Sequence, residues 1–133
     1  MIIHFYKFIN NIKSSPARKN KLLLISTGIG LVLNGLIWAL ILLKLRPVVS
    51  HLPADQAFIP LHYNIYLGVD SYGRWEKLFL LPGAGILFWF VNSLFAAILF
   101  SKKEILSYFL SLTSTILQVF LLISTIFIVL INI

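Results

Sequence analysis

The chain has 133 residues, 59% of them hydrophobic and 11% charged, with a formal net charge of +7 and no cysteine. Soluble domains average roughly 45–50% apolar and about 25% charged residues, so a soluble core of this size has too little interior for so much apolar surface. The absence of thiols excludes disulfides, thiolate metal sites and cysteine nucleophiles. The positive charge borders apolar blocks instead of forming a basic, aromatic soluble domain, which excludes nucleic acid and points to anionic headgroups and topology.

Residues 1–21 form a basic lead. Ile2, Phe5, Tyr6, Ile9 and Ile12 recur at helical spacing, with Lys7, Asn10, Asn11 and Lys13 mainly on other sides. That pattern predicts a short interfacial helix ending near Ser14-Ser15-Pro16, with a solvated cytoplasmic tail as the alternative. Residues 22–43 carry no charge and are long enough to cross a bilayer of roughly 30 Å hydrocarbon thickness. They exceed the apolar region of a signal peptide, and no small-x-small cleavage site follows, so an uncleaved span is expected.

A loop follows over 44–77. The second span covers 78–100 and has Pro82-Gly83-Ala84-Gly85 near its start, where proline is tolerated in a first helical turn. A start at Trp75 would instead put a kink at the proline. Residues 101–104 make a tight turn, and the third span covers 105–133. Spans two and three therefore form an antiparallel helical hairpin. The fold class expected is all-α integral membrane: three transmembrane helices, an interfacial N-terminal helix and one ordered extracytoplasmic loop.

Orientation follows from the basic residues. Lys7, Lys13, Arg18, Lys19, Lys21, Lys102 and Lys103 share one side, against Lys44, Arg46, Arg74 and Lys77 on the other. The positive-inside rule then places the N-terminus in the cytoplasm, the C-terminus outside and the 44–77 loop outside, in a multi-pass protein of the cell membrane.

No Asp, Glu, Lys, Arg or His lies within these spans, which argues against a self-contained transporter or pump. The third span has Ser107, Ser111, Ser114, Gln118 and Thr125 on one face. The first has Gly28, Asn34 and Gly35, and the second Asn92, Ser93, Ala96 and Ala97. Small and neutral polar residues let membrane helices approach and hydrogen-bond, so helix packing is expected, with a polar ligand path as the alternative. Thr113, Thr115 and Ser124 lie off the stripe and can each bond their own backbone. Counted from the cytoplasmic ends at about 1.5 Å per residue, Asn34 and Gln118 lie at matching depth, as do Asn92 and Ser114. Two contacts are expected from this: Asn34 with Gln118, and Asn92 with Ser114.

Within the loop, Pro47, Pro53 and Pro60 rule out one long helix, and a single helical turn is expected over 54–58. Residues 61–67 suit a strand with His62, Asn64 and Tyr66 on one face, and Gly68, Asp70, Ser71 and Gly73 supply turn chemistry. A reversal would bring the His62 imidazole to the Asp70 carboxylate. No histidine or carboxylate falls at a metal-ligand spacing, and Ser71 has no nucleophile-elbow context, so neither a metal, a cofactor nor a catalytic residue is expected. The loop residues either shape a folded element, with Tyr63, Tyr66, Tyr72 and Trp75 in the interfacial aromatic belt, or recognise a peptide, headgroup or partner protein.

The run Pro60, His62, Tyr63, Asn64, Gly68, Asp70, Tyr72, Gly73, a basic residue and a proline-containing span resembles a bacterial membrane domain of unknown function. That domain occurs in relatives of the Sdp-type toxin-immunity membrane proteins, with a core P-x-H-[aromatic]-[N/D], then G, D and an aromatic-G pair. The pattern H-Y-N-I-Y-x-G-V-D-x-x-G is also similar to small membrane proteins of candidate-phylum bacteria. The resemblance covers 60–82 and implies an immunity-like role in the bacterial envelope. The reading is a non-enzymatic membrane protein that binds or senses an extracytoplasmic ligand, or an envelope protein or peptide, through residues 58–77. A structural or accessory subunit of a larger membrane complex or transporter is the alternative.

Overall fold

A computed structural model describes residue 10 and residues 15–53 and 58–133. The expected lead helix lies outside the described residues, as does the turn expected over 54–58 except for Phe58, which opens a strand.

Three helices are long and apolar enough to cross a membrane: α1 (Lys21–Val49), α2 (Trp75–Leu99) and α3 (Glu104–Asn132). Between α1 and α2 lies an antiparallel hairpin of β1 (Phe58–Asn64) and β2 (Gly68–Arg74). Helix α3 packs along both α1 and α2, and these two touch each other over a shorter stretch.

Asn20 caps α1, its side-chain oxygen accepting from the Leu23 N–H at 3.0 Å. The helix does not stop at Leu43, where the unbroken apolar run ends. It passes through a π-helical segment, Ile41–Leu45, and a last α-helical turn, Arg46–Val49. Pro47 explains the change of pitch. An α-helical proline leaves the carbonyl four residues back without a donor and crowds it with its ring. In the π segment the Arg46 N–H reaches back to the Ile41 carbonyl, and Pro47 then occupies the first turn of a fresh segment. The four-residue spacing of Ile37, Ile41, Leu45 and Val49 keeps them on one side, where they form a core with Leu78, Val129 and Ile59 of β1.

Helix α2 opens with a 3-10 segment, Trp75–Phe79, before its α-helical part, Leu80–Leu99. Pro82 sits in the first turn of that part, where no helical N–H bond is lost. The Phe79 ring stacks on Trp38 of α1 at 5.5 Å and meets the edge of Trp75 at 5.3 Å.

At the opposite end Ala17, Leu23 and Ala96 form a second small core. The Asn20 amide donates to the Tyr108 hydroxyl at 2.7 Å, which donates to Glu104 at 2.6 Å. The Ser15 hydroxyl donates to the Ala97 carbonyl at 2.9 Å.

Candidate functional site

The hairpin is more regular than its glycines imply. The expected strand shifts to Phe58–Asn64, and the stretch read as turn chemistry is itself a strand, Gly68–Arg74. Pairing runs from Phe58↔Arg74 to Asn64↔Gly68, with irregularities on either side of His62. Ile65, Tyr66 and Leu67 make the turn. Asn64 sets it, its side-chain oxygen accepting from the Tyr66 N–H at 2.9 Å. Gly68 takes φ 74°, the left-handed conformation that L side chains avoid.

Gly73 does not turn the chain. A Cβ there would lie 2.5 Å from the Leu61 side chain, so its hydrogen makes room for Leu61. Asp70 closes no turn either. Its carboxylate lies 2.6 Å from the His62 Nδ1 across the strands, with side-chain exposures of 65% for His62 and 32% for Asp70. The irregular register brings these two together although His62 is paired with Ser71. Tyr63 is exposed and paired with Val69. At the end of β2, Arg74 donates to Glu76 at 2.7 Å, and this hydrogen bond raises the guanidinium above its ordinary value.

Two contacts fasten the hairpin to the helices. Ile59 is buried in the core with Val129 and Leu78. The Asn132 amide of α3 donates to the Pro60 carbonyl at 2.9 Å. Among the described residues no three of His, Asp and Glu gather where they would hold a metal ion. His62 and Asp70 thus form a two-member polar pair on an exposed, anchored ribbon, an arrangement suited to hydrogen bonding a ligand.

No family model matches the chain, and neither curated proteins nor solved structures contain a match.

The polar residues predicted for helix packing divide. Asn34 and Gln118 meet in the interior, the Asn34 amide donating to the Gln118 carbonyl oxygen at 3.1 Å and to the Pro82 carbonyl at 3.0 Å. The Gln118 amide donates to the Gly85 carbonyl at 2.7 Å. One node therefore ties all three helices. The whole α3 stripe, Ser107, Ser111, Ser114, Gln118 and Thr125, is buried. The expected Asn92–Ser114 hydrogen bond is absent: the buried Ser114 hydroxyl has no partner among the described residues. Depth alone fails there because two residues at one height also need facing azimuths, and Asn92 is only half-buried.

Residues outside the expected set complete the seam. The Trp89 indole donates to the Thr27 carbonyl at 2.8 Å, and Ser111 lies 3.3 Å from the Thr27 hydroxyl. Thr115, expected only to bond its own helix, shares its hydroxyl proton between the Ser111 carbonyl at 3.1 Å and the Ser26 carbonyl of α1 at 2.9 Å. A hydroxyl has one proton, so in the 3.1 Å contact between their side chains Ser26 donates to Thr115. Gly30 and Gly85 allow the approach, whereas Gly28 and Gly35 face open space. The signal available for Gly30 was its helical spacing from Ser26 and Thr27.

Proposed function

We propose that the chain is a non-enzymatic multi-pass protein of the bacterial cell envelope, with its N-terminus in the cytoplasm and its C-terminus outside. Its hairpin binds or senses an extracytoplasmic ligand or partner, in the manner of an immunity protein. The observation that carries this reading is the His62–Asp70 pair, held at 2.6 Å on an exposed ribbon that Asn132 and Ile59 fix to the helices. A loop that merely joined two helices would need no such fastening, and polar groups set on rigid elements are the usual basis of recognition. The asymmetry of basic residues supports the orientation. The accessory-subunit alternative has less support, because the Ser111–Gln118 stripe that would seat a foreign helix is packed against the chain's own helices.

Two measurements test the reading. Single cysteines at Gln56 and at the exposed Ser101, treated in intact cells with an impermeant thiol reagent, should label at Gln56 alone; labelling at Ser101 instead reverses the orientation. A photo-crosslinking residue at the exposed Tyr72 should give one defined adduct in native membranes that His62→Ala and Asp70→Ala abolish. An adduct indifferent to both substitutions removes the pair from recognition.

A further inference from the structure

The hairpin tip is the most exposed apolar cluster between the helices. Ile65, Tyr66 and Leu67 are 81%, 91% and 77% exposed, and no side chain of the bundle covers them. Their height relative to the helices identifies what does.

Each of α1 and α3 has 29 residues, about 43 Å at about 1.5 Å per residue, against a hydrocarbon thickness of roughly 30 Å. About 20 residues fill that thickness. Counted from Glu104, they reach Ile123 in α3; counted from Lys21, they reach Leu40 in α1; counted back from Leu99, they reach Leu80 in α2. All three helices therefore overshoot at the hairpin end. The overshooting segments of α1 and α2 carry Lys44, Arg46, Trp75, Glu76 and Lys77, residue types suited to a headgroup layer, while that of α3 is largely apolar.

The hairpin does not stand clear of that layer. Pro60 is held at Asn132 near the end of α3, and a cleft of about 420 Å³ between β1 and α3 is lined by Tyr63 and Ile65 on one side and Ser124 and Phe127 on the other. Past the Asn132–Pro60 contact, residues 61–63 and 65 of the hairpin share this cleft with Ser124, Phe127, Ile128 and Ile131, so the strand runs back along α3 toward the edge of the hydrocarbon. Phe127 and Ile131 are exposed on the outer face of α3, continuous with the cleft. The tip has no charged side chain, and the ionisable pair nearest it, His62 and Asp70, is mutually bonded.

We propose that Ile65, Tyr66 and Leu67 are an interfacial anchor that inserts into the lipid leaflet on the hairpin side. The apolar surface of the tip leaves water there, and the Tyr66 hydroxyl remains at headgroup level, as amphipathic rings do in aromatic belts. The cleft behind the tip opens to the same lipid. A hairpin so placed presents His62 and Asp70 at the bilayer surface, so its ligand is met there and not in bulk water. The inference rests on the helices spanning the bilayer and is independent of which side is outside.

The cysteine-free chain permits a direct test. Single variants Leu67→Cys, Val32→Cys and Lys102→Cys carry a nitroxide in phosphatidylcholine/phosphatidylglycerol vesicles. Spin relaxation by oxygen, which partitions into lipid, is compared with relaxation by a water-soluble nickel chelate. Val32 lies on an exposed face in mid-α1 and Lys102 in the exposed turn, so they set the lipid and water limits. The Leu67 label should be relaxed more by oxygen than by nickel, between those limits. Adding Tyr66→Asp should shift it toward the water limit. A Leu67 label matching Lys102, beside a deep Val32 label, overturns the anchor alone; a Val32 label that also matches Lys102 overturns the membrane-spanning reading and the anchor with it.

Discussion

Gly85→Ala probes the point where all three helices meet. A Cβ there would lie 2.7 Å from the Asn34 amide nitrogen, 2.9 Å from the Gln118 carbonyl oxygen and 2.9 Å from Leu121 Cδ1. No space exists for these groups to retreat while keeping their hydrogen bonds, because Asn34 and Gln118 are almost fully buried. The three bonds of the node are worth on average about 0.6 kcal/mol each in membranes, so losing them removes roughly 2 kcal/mol. Alanine regains about 0.5–1 kcal/mol over glycine in a helix through the unfolded chain. The net expectation is a loss of about 1 kcal/mol, rising if the helices are also forced apart. Gly83→Ala is the internal control: nothing lies within 4 Å of a Cβ there, so it should be neutral or stabilising by up to about 1 kcal/mol. The two variants should therefore differ by roughly 2 kcal/mol in reversible unfolding by SDS in mixed micelles, followed by circular dichroism. In a Gln118→Ala background, which removes one clash and two of the bonds, the gap should shrink. A Gly85→Ala variant as stable as Gly83→Ala would refute the close-approach argument.

Other expectations follow from the same contacts. A double-mutant cycle of Asn34→Ala and Gln118→Ala should give a coupling of about 0.6 kcal/mol and not above about 1.7, with independence contradicting the node. Gly68→Ala should destabilise the hairpin by about 1–2 kcal/mol, because alanine resists a left-handed φ, and faster amide exchange at residues 64–68 would report it. Asn132→Ala should loosen the base of the hairpin without altering the helices, seen as faster exchange in β1 at unchanged helical circular dichroism.

Much of the helical frame was legible in the sequence, because uncharged apolar runs of this length have few alternatives. Asn34 and Gln118 were legible as a pair, since equal depth on antiparallel or parallel helices follows from counting residues. His62 and Asp70 were legible as a contact across a reversal. The rest depended on information that residue types do not carry. Lys44 and Arg46 read as a boundary and Pro47 as a breaker, yet a π segment carries α1 past all three. Gly73 read as a turn, although it serves as space for Leu61 within a strand. Asn92 and Ser114 matched in depth but not in facing direction, and Thr115 reached another helix because Gly30 brings α1 close to Trp89 and Thr115.

Amide hydrogen exchange across residues 58–74 in nanodiscs, for the wild type and Asp70→Ala, decides whether the hairpin is the folded, docked element that recognition requires. The paired amides of β1 and β2 should be protected well beyond unfolded-peptide rates. Asp70→Ala should weaken that protection modestly, since one exposed side-chain hydrogen bond contributes only about 0.5–1.5 kcal/mol. Exchange at unfolded-peptide rates throughout the segment, with no response to Asp70→Ala, would reduce the loop to a tether and contradict its role as the recognition element.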